Sequence, residues 1–334
     1  MTRYLLTGAT GFVGSRLTRM ILDRGDAVTA LARPSARARA LRELGVDVID
    51  GDLTTGQGLT EAVTGADRAI HLAALVKART RAAFQAVNRD GSARLARVLA
   101  ALPRPPRLVV CSSLAAAGPS PTRRPVSRYG ASKLAGEQAV RAHADRLQAV
   151  VLRPGIVYGP GEPALLPTLL PMLARGLVLK TGTGPRHYCL LYVDDLCSAL
   201  LAAAEQGTPL SRTDPEAGVY PICDGQAHDW SDVCAELARM LGRRRPAVLP
   251  VPMTAVHAAA WISEAVGLIR GQVPVLNRDK AREMGHSWVC PADGITAATR
   301  ELGYTPTTPL HRGMPASIAP WTRRLPPRTP PRRG

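Results

Sequence analysis

The stretch YLLTGATGFVGSRLTRMIL, residues 4–22, sets Gly8, Gly11 and Gly14 three residues apart where an apolar run gives way to a helical pattern. Glycine loses more backbone freedom on folding than any other residue, so three at a fixed spacing mark a geometric demand at that junction. A tight strand-to-helix turn lets backbone N–H groups and the helix dipole approach a pyrophosphate. A flexible turn with one packing glycine explains the triplet equally well, so the rest of the chain must choose between them.

The first half repeats the same alternation. YLLTG, AVTALAR, VDVIDGDL, RAIHLAA, RLVVCSS and QAVVLRPGIVYGPG read as strands. SRLTRMILDRG, SARARALRELG, LTEAVTGA, AFQAVNRDGSARLARVLAAL and YGASKLAGEQAVRAHA read as the helices between them. Continuous Val/Leu/Ile strands alternating with helices specify a parallel sheet buried on both faces. The expected fold class is α/β, a doubly wound parallel sheet. Beyond residue 160 the Gly/Pro-bearing loops TGTGPRHYCL and RRRPAVLPVP separate longer helices, with two short strands, CLLYV and GVYPI. The expected division is a dinucleotide-binding domain over 1–160, to which 188–225 return, and a smaller, partly interleaved C-terminal substrate-binding region over 161–187 and 226–315. Residues 316–334 are expected to be a disordered Pro/Arg-rich tail.

Composition narrows the partners. The 334-residue chain, with 46% hydrophobic and 21% charged residues, has the make-up of a soluble protein with a large core. A formal charge of +17 calls for a polyanion or a phosphorylated ligand. The arginines are scattered over helix-like segments and densest in the tail WTRRLPPRTPPRRG, so nucleic acid is not an expected partner. Cys111, Cys189, Cys197, Cys223, Cys234 and Cys290 form no CxxC pair and no metal spacing with histidine. They read as buried small hydrophobes, with no metal. The apolar stretch TAVHAAAWISEAVGLI is too short to span a bilayer and contains Glu264, so no stable membrane insertion is expected. Without a signal peptide pattern, a cytoplasmic protein, and a homodimer, is the expectation.

The chemistry concentrates in SRYGASK. Tyr129 and Lys133 are four apart on an expected helix and share one face. A tyrosine titrates near ~10 in water, and an adjacent cation lowers that value. Ser112 and Ser113 close the fifth expected strand, and carboxyl ends of parallel strands are where open α/β sheets bind ligands. Glycine turn, serine strand and Tyr/Lys pair therefore converge on one sheet edge.

In this combination the chain resembles the short-chain dehydrogenase/reductase superfamily, in its extended, epimerase/dehydratase-like branch, with a Rossmann domain. TGATGFVG matches that family's TGxxGxxG cofactor loop, YGASK its YxxxK pair, and CSSLAAAG its serine strand. HLAA, VNRDGS, LRPGIVYGPG and LLYVDDLCSALLAA resemble further family segments, so the likeness covers roughly residues 1–310. It implies Tyr129 as general acid/base, Lys133 as the residue that holds the nicotinamide ribose and tunes Tyr129, and Ser113 as hydrogen-bond donor to the substrate carbonyl. Ser112 is expected to pack the strand end. Gly8, Thr10, Gly11, Phe12, Val13 and Gly14 would form the pyrophosphate loop. Asp52 and Leu53 would meet the adenine, and Leu72, Ala73 and Ala74 would let the cofactor pass close. Asn88 would support the site from its helix, and Pro154, Gly155, Ile156 and Val157 would flank the nicotinamide. His71 is expected in the core, His187 in solvent, and Asp194 and Asp195 as helix caps.

Two departures shape the functional expectation. LAAAG stands where sugar dehydratases of the family place acidic partners beside the serine, which disfavours dehydration. The second strand ends TALARPSAR, with Arg33 and no carboxylate, and Arg37 and Ser35 nearby. An acid there would hold the ribose 2′-hydroxyl of NAD, whereas a guanidinium matches a 2′-phosphate. NADP(H) is therefore expected to be preferred, with NAD(H) as the alternative. HLAAL and LNRDKAREMGHSWVC most resemble hydroxysteroid-dehydrogenase-like and ketoreductase-like members. The expected activity is interconversion of a ketone and a secondary alcohol on a largely apolar small molecule. The segment from Thr254 to Ile269, with Trp261, would wall or cover its pocket, or else be a core helix. A nucleotide-sugar epimerase with tightly bound NAD, using Arg186 and Arg212 on the diphosphate, is the alternative. A non-catalytic redox-sensing regulator comes third.

Overall fold

The computed structural model describes residues 1–120 and 122–322. Strands β1 (Arg3–Thr7), β2 (Ala27–Ala32), β3 (Asp47–Asp50), β4 (Arg68–His71), β5 (Arg107–Cys111) and β6 (Ala149–Pro154) alternate with helices. These helices are α1 (Phe12–Asp23), α2 (Ala36–Glu43), α3 (Leu59–Ala62), α4 (Arg81–Phe84), α5 (Ser92–Ala100), α6 (Leu114–Ala117) and α7 (Arg128–Arg141). Next come β7 (Ile156–Tyr158), α8 (Leu165–Ala174), β8 (Leu177–Thr181), β9 (His187–Tyr188), β10 (Leu190–Tyr192), α9 (Val193–Glu205) and β11 (Val219–Ile222). The remainder is β12 (His228–Asp229), α10 (Trp230–Met240), β13 (Ala247–Val251), α11 (Met253–Ile269), α12 (Arg278–Met284), α13 (Ala292–Leu302) and α14 (Leu310–Thr322).

Seven strands form one sheet in the order β11-β6-β5-β4-β1-β2-β3, every pair parallel. Period-2 alternation assigns its faces. Tyr4 and Leu6 of β1 pack with Leu17 and Ile21 of α1 and Leu196 and Leu200 of α9. Leu5, between them, packs with Leu95 and Leu99 of α5 and Val140 of α7. The doubly wound parallel sheet is therefore as expected, and its strands read as unbroken apolar runs because both faces are covered.

Several local differences have physical causes. The sixth apolar run is two strands, because Gly155 interrupts it: a Cβ there would lie 2.5 Å from the carbonyl oxygen of Cys189. After that break, β7 leaves the central sheet and pairs with β10. The long helix after β4 contains a π-helical stretch, Gln85–Gly91, between α4 and α5. RRRPAVLPVP, read as a loop, supplies β13, which pairs with β8, and TGTGPRHYCL supplies β9, which pairs with β12. Helices α8, α10 and α14 share a separate core around Leu169, Leu237 and Ile318. Residues 316–322, expected in the disordered tail, belong to α14, where Ser317 and Ile318 are buried; the rest of that stretch lies outside the described residues. Helix α11 is not a core helix. It buries Val256, Ala260 and Gly267 and leaves Trp261 62% and Ile269 87% exposed. No helix among the described residues is long and apolar enough to cross a membrane.

Candidate active site

Gly8 takes φ +78°, and a Cβ on it would sit 2.6 Å from the backbone nitrogen of Ala73, so the turn after β1 lies directly on the end of β4. A Cβ on Gly14 would sit 2.1 Å from Gly8 O, which presses the start of α1 against that turn. Gly11 is the N-cap of α1; its N–H donates to Gly8 O at 3.0 Å, and no side chain caps the helix. Phe12 and Val13 turn into the core, and Thr10 is half-buried in the loop. What the loop offers outward is backbone N–H at an uncapped helix N-terminus, an anion-binding arrangement. The chain thus fits a dinucleotide pyrophosphate there.

At the neighbouring strand ends, Arg33 is exposed just beyond β2. Asp52, beyond β3, accepts from the N–H and hydroxyl of Thr54, both at 2.6 Å. Those hydrogen bonds hold its carboxyl below the usual range, with the charges of Arg33 and Arg94 adding to the effect. Leu53 is buried in the second core cluster, Leu72 and Ala73 pack against the two cores, and Ala73 N–H reaches Thr7 Oγ1 at 3.4 Å. Ala74 lines a cavity of about 460 Å³ with Leu75, Val76, Lys77, Gln272 and Val273.

His71 is in the core, as expected. Ser92 Oγ donates to Asn88 O at 2.7 Å, so it accepts from His71 Nε2 at 2.9 Å, and His71 Nδ1 accepts from Thr7 Oγ1 at 2.6 Å. Burial, seconded by the charge of Lys133, pushes its imidazole down to about 3. Asn88 is fully engaged by the protein: its Oδ1 accepts from Leu75 N, and its Nδ2 donates to Leu75 O and Ser132 Oγ. It ties the loop after β4 to α7 and has no amide hydrogen left for a ligand.

Ser113, the second residue after β5, caps α6 by accepting from Ala115 N at 3.2 Å. Its hydroxyl lies beside the Tyr129 phenol and draws that group's pKa down. Tyr129 is the second residue of α7, whose start is held by three acceptors. Ser127 Oγ accepts from Gly130 N at 2.9 Å, and the carboxylate of Asp279 in α12 accepts from Arg128 N at 2.7 Å and Tyr129 N at 3.0 Å. Ser127 in turn donates to Glu283 at 2.7 Å. One turn along α7, Lys133 is buried and its Nζ donates to Cys111 O at 2.8 Å. The expectation that Lys133 depresses Tyr129 needs correction. Burial is the largest influence and raises the Tyr129 phenol above its ordinary value, outweighing the opposite effect of Ser113, while the Lys133 ammonium is turned to a backbone carbonyl. Burial likewise lowers Lys133. Ser112 points away and donates to Glu137, itself paired with Arg153 at 2.6 Å.

Pro154 ends β6. Gly155 N–H donates to Ile222 O at 3.0 Å and Ile156 N–H to Cys189 O at 2.9 Å, so the Pro154–Val157 stretch is pinned on both sides. Asp194 and Asp195 are not caps, since Tyr192 is the N-cap of α9. Asp194 forks onto Arg16, and Asp195 accepts from Thr307 and Thr308. His187 is half-buried in β9, with its N–H on Ser287 Oγ at 3.0 Å. Arg212 pairs with Asp145, just past the C-terminal end of α7, whereas Tyr129 is at its N-terminal end, about 20 Å away at 1.5 Å per residue. Asp279 and Glu283, which carry no local sequence signal, are the helix's anchors from 150 residues away.

Residues 4–213 match the model of the NAD-dependent epimerase/dehydratase family, and the chain belongs to that family. It is an NAD(P)-dependent oxidoreductase of the extended short-chain dehydrogenase/reductase type. It is 33% identical to a ceramide reductase of Caulobacter vibrioides, over 92% of this chain and 93% of that one. It is 30% identical to a 4-hydroxy-2-methyl-3-oxo-4-farnesyl-3,4-dihydroquinoline-1-oxide ketoreductase of Stigmatella aurantiaca, over 94% of this chain and 95% of that one. Among solved structures, MoeE5 in complex with UDP-glucose and NAD is similar at a TM-score of 0.68 and 26% identity, covering 96% of this chain and 99% of that one.

Proposed function

We propose that the protein is an NADP(H)-dependent ketoreductase that interconverts a ketone and a secondary alcohol on a largely apolar small molecule. The observation that carries this reading is the placement of Ser113 beside a half-buried Tyr129, whose phenol is held above its ordinary value, at the carboxyl edge of the sheet. The nicotinamide, when bound, supplies or takes the hydride. In the reducing direction the Tyr129 hydroxyl gives its proton to the substrate carbonyl oxygen, and a phenol kept above its ordinary value by burial stays protonated for that task. Ser113 donates to the same oxygen as charge develops on it. Lys133 spends one of its three donors on Cys111 O and keeps the others for the ribose hydroxyls. The Gly8–Gly14 turn takes the pyrophosphate and Arg33 the 2′-phosphate.

The reductase and ketoreductase relatives support the direction, and the farnesyl and ceramide named in them support an apolar substrate. Epimerisation of a nucleotide sugar is less well served, because Arg212 is committed to Asp145 at the far end of α7. The test is NADPH consumption with long-chain ketones, beside product analysis of UDP-sugars, whose epimerisation consumes no net cofactor. Turnover should occur with the former, and Tyr129→Phe should lower it ~10²–10⁴-fold without unfolding the chain. Near-normal turnover by that variant, or activity on UDP-sugars alone, would overturn the proposal.

A further inference from the structure

Behind the Pro154–Val157 stretch, three of the six cysteines meet. Cys189 lies between β9 and β10, Cys223 directly after β11, and Cys290 before α13. All three are buried, and their sulfur atoms lie within 4.8 Å of one another. Spacing along the chain conceals this, since Cys189 and Cys290 are 101 residues apart; all three are buried in a hydrophobic cluster, as expected, and the structure adds that they meet. They are free thiols in a small cluster with Leu114, flanked by Trp288 and Ile295.

Two of the sulfurs accept backbone N–H groups: Cys189 Sγ from Cys290 N at 3.2 Å, and Cys223 Sγ from Gly225 N at 3.3 Å. Such bonds favour sulfur in its anionic, ligating form, and they recur around metal-bound thiolates.

We propose that Cys189, Cys223 and Cys290 form a binding site for one thiophilic d10 cation. Zinc would take three sulfurs with water as the fourth ligand, and copper(I) would take the three sulfurs alone. Metal–sulfur bonds of about 2.3 Å put thiolate sulfurs about 3.8–4.0 Å apart, so the observed cluster needs to close by under about 1 Å. Each thiol that ligates gives its proton to solvent, and no electron is transferred. The ion would staple three segments behind the Ile156–Cys189 backbone bond. It would thereby hold the expected nicotinamide flank.

The test uses the full chain purified from zinc-supplemented cells, together with the same protein reduced, stripped with chelator and titrated with zinc or with copper(I) under anaerobic conditions. Metal is counted by mass spectrometry after gel filtration. About one ion per chain is expected, falling to under about a tenth in Cys189→Ala, Cys223→Ala or Cys290→Ala, as for a closed thiolate site. Cys234→Ala, outside the cluster, should retain it. Should the cluster variants misfold, the stripped wild type still decides, through loss of melting temperature and its recovery on adding metal. Absence of uptake by reduced wild-type protein overturns the proposal. So does a disulfide between two of the three with no metal taken up after reduction.

Discussion

Replacing Asp279 by alanine tests whether α12 positions the start of α7, which carries Tyr129. Its carboxylate accepts from the N–H groups of Arg128 and Tyr129, and its side chain is only 16% exposed. Hydrogen bonds to a charged group contribute about 1.5–3 kcal/mol each when buried. With Arg128 exposed and water able to replace part of the loss, about 2–4 kcal/mol is expected for the pair. The ion pair to Arg282, 3.7 Å long with that arginine half exposed, adds nothing measurable. At about 2.1 cal/mol/K of unfolding entropy per residue, 334 residues convert the loss into a fall of about 3–6 °C. Ser127 still caps Gly130, so the helix remains and its first turn loosens. Since Tyr129 is in that turn, ketone kcat/KM should drop about 10- to 100-fold, the scale set by small misplacements of a reacting group. Asp279→Asn keeps one acceptor oxygen and should lose about half as much stability. Thermal melts with NADPH kinetics on the three proteins are the assay. If Asp279→Ala melts and turns over like the wild type, the carboxylate is not what holds Tyr129.

Three further outcomes are expected. Arg33→Ala should weaken NADPH by about 1.5–3 kcal/mol, roughly 10- to 150-fold, and leave NADH nearly unchanged; equal losses for both would remove Arg33 from the 2′-phosphate. His71 stays neutral in the fold down to about 3, while an unfolded histidine takes its proton near ~6.5. Between those values the unfolded state binds more protons, so lowering the pH from 6.5 to 5 should cost the wild type up to about 2 kcal/mol relative to His71→Asn; parallel urea-denaturation curves for the two would contradict this. Gly14→Ala would bring its Cβ 2.1 Å from Gly8 O, a backbone atom that cannot yield without moving the turn. NADPH affinity measured by titration should collapse, and retention of wild-type affinity would refute the close-packed turn.

The central sheet was legible because its strands are buried on both faces and therefore write themselves as unbroken apolar runs. The glycine turn and Ser113 were placed by their position just after a strand, and Tyr129 and Lys133 by their four-residue spacing on one helix. What escaped the sequence was made by partners distant along the chain. Asp279 and Glu283 look like ordinary helix-surface acids until α12 is laid on the start of α7. Strand β13 contains Pro250, which reads as a loop signal and is tolerated where the strand pairs only with β8. The Cys189, Cys223 and Cys290 cluster has no local spacing to betray it. Helix α11 misled differently: its apolar length suggested burial, yet it turns small residues inward and large ones outward.

The π-helical stretch Gln85–Gly91 bears on how this helix tolerates change. An α-helix advances about 100° per residue, so the wider turn resets the angular phase between α4 and α5. On one side, Phe84 sits against Tyr129 with ring centroids 6.2 Å apart, and Asn88 faces Leu75 and Ser132. On the other, Leu95 and Leu99 face the sheet. Deleting a single residue within the stretch would let it close into an ordinary α-turn with both flanks in place, whereas deleting one in α5 would rotate one half against the other by about 100°. Either the core leucines or the Asn88 clasp would then point elsewhere. The segment behaves as a phase shifter, for which residue count matters more than residue identity.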